Sequence, residues 1–216
     1  MSIADKIKTI KDGLTDDITL IAVSKYKSVQ EINEAYDCGI RNFGENRVQE
    51  LLDKNDKLPK DIRWHLIGHL QRNKVKYIVG KVELIHSLDS IKLLEEIERQ
   101  YGTRNMSAKV LIQINIGEEE SKTGIKPQEL EHLLEVCESC KHVEVEGLMA
   151  IIPIGDEESC RNYFKQVKQI FDSIKLKKYN NIHMKYLSMG MTNDYKIAVL
   201  EGSNMIRVGT GIFGRR

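Results

Sequence analysis

Eight short apolar runs recur along this chain, each followed by a longer stretch of helical periodicity, and that alternation limits the possible folds more than any other feature. The runs are residues 19–25, 40–44, 62–67 and 83–87, then 108–116, 143–152, 184–188 and 205–208. An amphipathic helix precedes the first. SVQEINEAYDCG ends at Gly39 and SIKLLEEIERQYG at Gly102, each glycine placed as a C-cap, and Pro127 stands where a helix begins before QELEHLLEVCESC. Eight β-α units joined by short connections predict a parallel sheet covered by helices, and eight is the number that closes a (β/α)8 TIM barrel. An open doubly wound sheet is the competitor. The first run leads through AVSKYKSVQ into its helix, not through a G-x-G-x-x-G turn, which favours the barrel. With 216 residues and no Gly/Ser-rich or Pro-rich linker, the expectation is one domain over residues 1–216.

Composition then works by exclusion. Lys and Arg number 33 against 32 Asp and Glu, a net charge of +1, so there is no basic field to hold nucleic acid or an anionic membrane. The longest apolar run, residues 148–152, is far short of the roughly 20 residues of a membrane span. The opening MSIADKIKTIKDG carries charges every few residues and lacks the apolar core of a secretory signal, so the expected location is the cytoplasm. Cys38, Cys137, Cys140 and Cys160 show no disulfide-framework spacing, and reduced thiols are expected. Cys137 and Cys140 form a C-x-x-C near His132 and His142, but the second ligand pair of a zinc site is missing and no metal is expected.

A barrel of this kind builds its active face at the C-terminal ends of its strands and often holds phosphate after the seventh and eighth. The seventh run ends in Ser188-Met189-Gly190-Met191-Thr192-Asn193-Asp194, a hydroxyl, a permissive glycine and then capping residues for a helix. The eighth ends in Arg207-Val208-Gly209-Thr210-Gly211, where glycines let backbone N–H groups approach an anion. Lys25 closes the first run, so its ammonium emerges at the same mouth. One reading is a snorkelling side chain; the other is an amine that forms a Schiff base with a carbonyl compound. Lys27 competes for that role, and spacing alone does not choose. A Schiff-base lysine facing a phosphate cradle implies a phosphorylated aldehyde, and pyridoxal 5'-phosphate meets both requirements. Arg207 is then placed to donate to the ring nitrogen, which would leave that nitrogen unprotonated and the cofactor a weaker electron sink; the alternative for Arg207 is a rim salt bridge.

AVSK around Lys25, FGENRVQE at residues 43–50, WHLIGHLQRNK at 64–74, SMGM at 188–191 and IRVGTGIFG at 206–214 together resemble the pyridoxal phosphate homeostasis protein family. The blocks span nearly the whole chain in the family's order. The family itself is similar to the N-terminal barrel of alanine racemase, fold type III, without that enzyme's second β-domain. The resemblance implies that Lys25 is the Schiff-base residue, resolving the choice against Lys27, that Arg207 meets the ring nitrogen, and that Ser188 with the Gly209 and Thr210 backbone cradles the phosphate. Asn46 is a contact to the ring or its phenolic oxygen, or else the N-cap of the following helix. His65, His69 and His86 are assigned no acid–base role, and Gln71 to Lys74 is either a partner or anion site or a solvated helix start.

The function implied is a carrier that buffers pyridoxal phosphate and delivers it to apo-enzymes, acting as a monomer. Racemisation needs a base on each face of the substrate, and in alanine racemase one comes from the partner's extra domain, absent here. An amino-acid racemase or decarboxylase on the same cofactor is the alternative, and an aldolase-like barrel acting on a sugar phosphate ranks below it.

Overall fold

The computed structural model describes residues 1–119 and 122–215. Its strands are β1 (Thr19–Val23), β2 (Asn42–Glu45), β3 (Arg63–Leu66), β4 (Leu84–Leu88), β5 (Ala108–Ile114), β6 (Val143–Ala150), β7 (Ile182–Met191) and β8 (Met205–Val208). They pair in chain order into a closed barrel, β8 returning to β1 through Thr19 with Met205 and Ala22 with Val208, and every pairing is parallel. The sequence places all eight. Closure removes the exposed strand edges that the open-sheet alternative would leave.

Helices lie between the strands: α1 (Ile3–Asp12), α2 (Val29–Asp37), α3 (Val48–Asn55), α4 (Val75–Ile78), α5 (Ile91–Gly102), α6 (Leu130–Glu138), α7 (Glu157–Lys175), α8 (Tyr195–Leu200) and α9 (Thr210–Phe213). Ser2 and Ser28 open α1 and α2 as capping boxes with Asp5 and Glu31, satisfying N–H groups that have no acceptor within the helix. Gly39 follows α2 at φ +83°, as its expected C-cap role requires. Gly102 does not cap: it is the last helical residue of α5, and Thr103 takes the position after it. Pro127 opens a short 3-10 turn that leads into α6.

Two apolar cores follow from the period-two alternation of the strands. Side chains facing outward, such as Leu20, Ala22, Phe43, Leu66 and Val208, join the helices in one large buried cluster. Those facing inward, Ile21, Leu84, Leu111, Met149 and Met205, form a smaller cluster that plugs the barrel. This plug is incomplete at one level, where His65, His86, Ser188 and Arg207 take buried positions instead. Among the described residues no helix is long and apolar enough to cross a membrane.

Candidate functional site

A cavity of about 710 Å³ opens at the C-terminal ends of the strands, and its walls come from the residues following β1, β2, β3, β6, β7 and β8. That volume lies within the roughly 300–1,000 Å³ of small-molecule sites. Lys25, Asn46, Arg207, Gly209 and Thr210 all line it. The chain thus gathers five sequence-selected residues from three separate strand ends.

Lys25 stands just beyond β1, in a turn closed by the Lys27 N–H donating to the Ser24 carbonyl, 2.9 Å, with Tyr26 at φ +63°. A non-glycine residue rarely adopts that conformation, and the surroundings hold it. The Tyr26 N–H donates to the Glu50 carboxylate, and Lys54 Nζ reaches Glu50 Oε1, Glu45 Oε1 and the Ser24 carbonyl, each at 2.7 Å. Ser24 Oγ donates to Glu45 Oε1 at 2.6 Å. This buried ionic cluster ties the Lys25 turn to β2 and α3. Burial pushes the Glu45 carboxyl above its ordinary range, against the opposing pull of Lys54 and Ser24.

The same turn separates the two lysines. Lys25 lines the cavity, and among the described residues its ammonium has neither an ion pair nor a hydrogen bond. Lys27 turns away: its Nζ pairs with Glu31 at 3.1 Å and donates to the Phe213 carbonyl at 3.3 Å. Arg47, not Asn46, occupies the N-cap of α3, and Asn46 lines the cavity. Gly68 makes room for this, since a Cβ there would lie 2.3 Å from the Asn46 carbonyl oxygen.

Beside Lys25 on the same rim, β7 and β8 present Met191 to Asp194 and Gly209 to Gly211. β7 runs three residues past its expected end at Ser188. Gly190, at φ +92°, permits it: a Cβ there would meet Ala198 Cβ at 2.6 Å. The Gly211 N–H donates to Thr192 Oγ1 at 3.2 Å, joining the two loops. Thr210 is the first residue of α9, so its N–H has no acceptor within the helix.

Ser188 departs from its expected place. It is fully buried below the cavity, outside its lining, and its hydroxyl is engaged by Arg207 Nη1 at 2.6 Å and His86 Nδ1 at 3.2 Å. Thr192, read from sequence only as part of a helix start, holds the rim position instead. Among the described residues Arg207 makes no salt bridge, at the rim or elsewhere. It is 3 % exposed, and its Nη1 and Nη2 donate to the Ser188 and Ala150 carbonyls at 2.8 and 2.9 Å. Burial lowers its pKa to about 10, which leaves the guanidinium charged at neutral pH.

The remaining expectations resolve outside the cavity. His69 is exposed and pairs with Asp89 at 2.9 Å, whereas His65 and His86 are buried inside the barrel, 3.0 Å apart. Gln71, Arg72 and Asn73 form a shallow open depression shared with Glu96, a carboxylate set against any anion. Cys137 is buried in α6 and burial raises its thiol pKa, while Cys140 is pushed up to about 11.

The family model for the alanine racemase N-terminal domain matches residues 1–216. A pyridoxal phosphate homeostasis protein of Aquifex aeolicus is 43% identical over 199 residues, covering 91% of this chain and 86% of the relative. One from Escherichia coli strain K12 is 38% identical over 205 residues, covering 93% and 87%. Among solved structures, PipY of Synechococcus elongatus is 36% identical and covers 99% of this chain and all of its own; the TM-score is 0.93 without PLP and 0.90 with PLP bound. An alanine racemase of Clostridium difficile, 13% identical at a TM-score of 0.81, shares the fold, with this chain spanning 57% of its length.

Proposed function

The chain belongs to the pyridoxal phosphate homeostasis protein family, and from that premise we propose that it binds pyridoxal 5'-phosphate at the barrel mouth and holds it for other proteins. The observation that carries this reading is that one cavity is lined by a lysine with no partner among the described residues, a buried arginine, and a glycine loop joined to Thr192. Bound there, pyridoxal phosphate supplies an aldehyde that condenses reversibly with a primary amine, and a ring that spreads charge.

The chain's own residues divide the work. Lys25 offers the amine, positioned by the Glu45, Lys54 and Glu50 cluster behind its turn. Arg207 uses three of its five N–H groups on Ser188 and Ala150, which leaves two donors on a side chain that lines the cavity. A charged donor of that kind fits an unprotonated pyridine nitrogen. Gly209, the Thr210 N–H and Thr192 are the candidates for the phosphate, and Ser188 acts beneath them by holding Arg207. Asn46 faces the ring from the β2 side.

The carrier reading is favoured by the relatives, which are named pyridoxal phosphate homeostasis proteins, whereas the racemases share only the fold. Among the described residues no histidine or tyrosine lines the cavity, and besides Lys25 and Arg207 the ionisable groups in its lining are Glu157, Asp194 and Cys160. We assign delivery to cytoplasmic apo-enzymes and action as a monomer to the same reading.

The decisive experiment is the absorption spectrum of the purified protein incubated with pyridoxal phosphate, before and after borohydride, with mass mapping of the reduced adduct. A phosphopyridoxyl group on Lys25 is expected. An adduct on Lys27 would overturn the lysine assignment, and a colourless protein that fails to bind would overturn the cofactor.

A further inference from the structure

Arg207 is the end of a longer arrangement that the cofactor reading does not use. From its Nη1 the contacts run to Ser188 Oγ at 2.6 Å, from Ser188 to His86 Nδ1 at 3.2 Å, from His86 Nε2 to His65 Nδ1 at 3.0 Å, and from His65 Nε2 to Asn42 Oδ1 at 3.2 Å. The five residues come from β8, β7, β4, β3 and β2, so the row crosses the barrel interior. Ser188, His86, His65 and Arg207 are each at most 3 % exposed.

We propose that His86 and His65 are positioning residues: with Ser188 and Asn42 they form a one-way chain of hydrogen bonds that fixes the Arg207 guanidinium as a donor at the floor of the cavity. Their target, the pyridine nitrogen, rests on the pyridoxal phosphate reading; the chain itself belongs to the protein without cofactor.

The direction follows from what each group can donate. Arginine has no acceptor, so at the Arg207 contact the Ser188 oxygen accepts. The Ser188 oxygen keeps a second lone pair as well as its own proton, so the far end of the row decides the rest. Asn42 Oδ1 only accepts, which puts the His65 proton on Nε2, the His86 proton on Nε2 and the Ser188 proton towards His86 Nδ1. A neutral His86 carries its proton on Nε2 and donates it to His65 Nδ1. His65 in turn carries its proton on Nε2 and donates to Asn42 Oδ1, a carbonyl oxygen that only accepts. Every step points from Arg207 towards Asn42. Reversal would require Asn42 Oδ1 to donate, which a carbonyl oxygen does not do. Both rings are neutral, since burial lowers the His65 pKa to about 3 and that of His86 well below its ordinary value, with the Arg63 charge beside His65 and the Arg207 charge beyond His86 acting the same way.

The far end is accessible. Asn42 and His65 line a second, smaller cavity of about 140 Å³, which also takes in Thr19, Arg63, Glu83 and Lys109 at the N-terminal ends of the strands. The chain therefore links the two mouths of the barrel through its core. Fixing the guanidinium from behind is a use for two buried histidines that apolar residues of similar size would not serve.

Nitrogen-15 NMR of the imidazole rings in the cofactor-free protein at pH 7 tests the chain directly. Both rings should be neutral with the proton on Nε2; a proton on either Nδ1, or a charged ring, would overturn the proposal. In the protein loaded with pyridoxal phosphate, His86→Leu should shift the absorption band of the bound cofactor and weaken its binding by about tenfold, the equivalent of one hydrogen bond. His86→Gln, whose amide offers an acceptor and a donor at similar spacing, should restore most of both. A band and affinity unchanged in a folded His86→Leu protein would overturn the positioning role. If the wild-type protein took up no pyridoxal phosphate, the cofactor reading would fail and the ring tautomers would still decide the chain.

Discussion

Lys25 and Arg207 face the same cavity but are held in opposite ways, and their substitutions should separate accordingly. Lys25 is exposed and unpaired among the described residues, so Lys25→Ala should change unfolding free energy by less than about 0.5 kcal/mol while abolishing the borohydride-trapped adduct. Urea denaturation and mass mapping read the two effects; an adduct that survives would remove Lys25 from the site. Arg207 is buried against two carbonyl oxygens, and Arg207→Glu would set a carboxylate against both. The expected cost is about 3–5 kcal/mol, measured by the same denaturation, and a near-wild-type midpoint would mean that the guanidinium contacts contribute little. Both residues are legible in the sequence because each sits at the end of an apolar run, where strand geometry alone brings side chains to the mouth. Ser188 misleads for the same reason: it looks like a strand end, but β7 continues to Met191, and the serine sits below the cavity. Its partner His86 is 102 residues away in the chain, and no local pattern announces a contact of that range.

At the level of elements, the connection from β1 to α3 holds the lysine turn. Lys54 is the centre of that connection, because its ammonium compensates two carboxylates in a site with little water. Lys54→Met would leave Glu45 buried without its cation, with Glu45 Oε2 already lacking a hydrogen-bond partner among the described residues. The expected loss is about 3–5 kcal/mol, and Glu45→Gln in the same protein should recover part of it by removing the stranded charge. Strictly additive losses in that double-mutant cycle would show that the two side chains are not coupled. The sequence reveals the elements here but not their coupling. FGENRVQELLDKN reads as a strand end and an amphipathic helix, and Lys54 looks like one more solvated lysine until the barrel curves α3 over β2. The four-residue strands β2 and β3 are nevertheless found, since their apolar residues are bounded by turn signals. The misread Gly102 shows the limit: glycine near a helix end implies a cap only where the chain turns to positive φ, and there α5 simply finishes.

For the whole molecule, the count of eight alternating units is what made closure legible, because closure is a property of number and connection length, not of any one residue. What the count does not show is that the barrel is plugged partly by polar groups, and these set how the protein responds to acid. His65 and His86 are neutral in the folded barrel, with burial lowering His65 to about 3 from an ordinary 6.5 and holding His86 well below its ordinary value. In the unfolded chain both take up protons near pH 6.5. Between about pH 6.5 and 3 the unfolded state binds more protons, so the stability these rings contribute is complete above 6.5 and is lost as pH falls towards 3. Each ring sets a slope of up to about 1.4 kcal/mol per pH unit. Glu45 acts in the other direction, since its raised pKa favours the folded state more as its carboxyl protonates, but it enters only near and above its ordinary 4.5. From pH 6.5 to 5 two rings outweigh one carboxyl, and the melting temperature should fall by an amount equivalent to as much as about 3 kcal/mol. His65→Gln should flatten that fall by about half, since one titrating ring remains. A melting temperature constant from pH 7 to 5 would mean that the rings are already charged in the folded barrel or that protonating them costs it nothing, and neither is compatible with a neutral row of hydrogen bonds ending on Arg207.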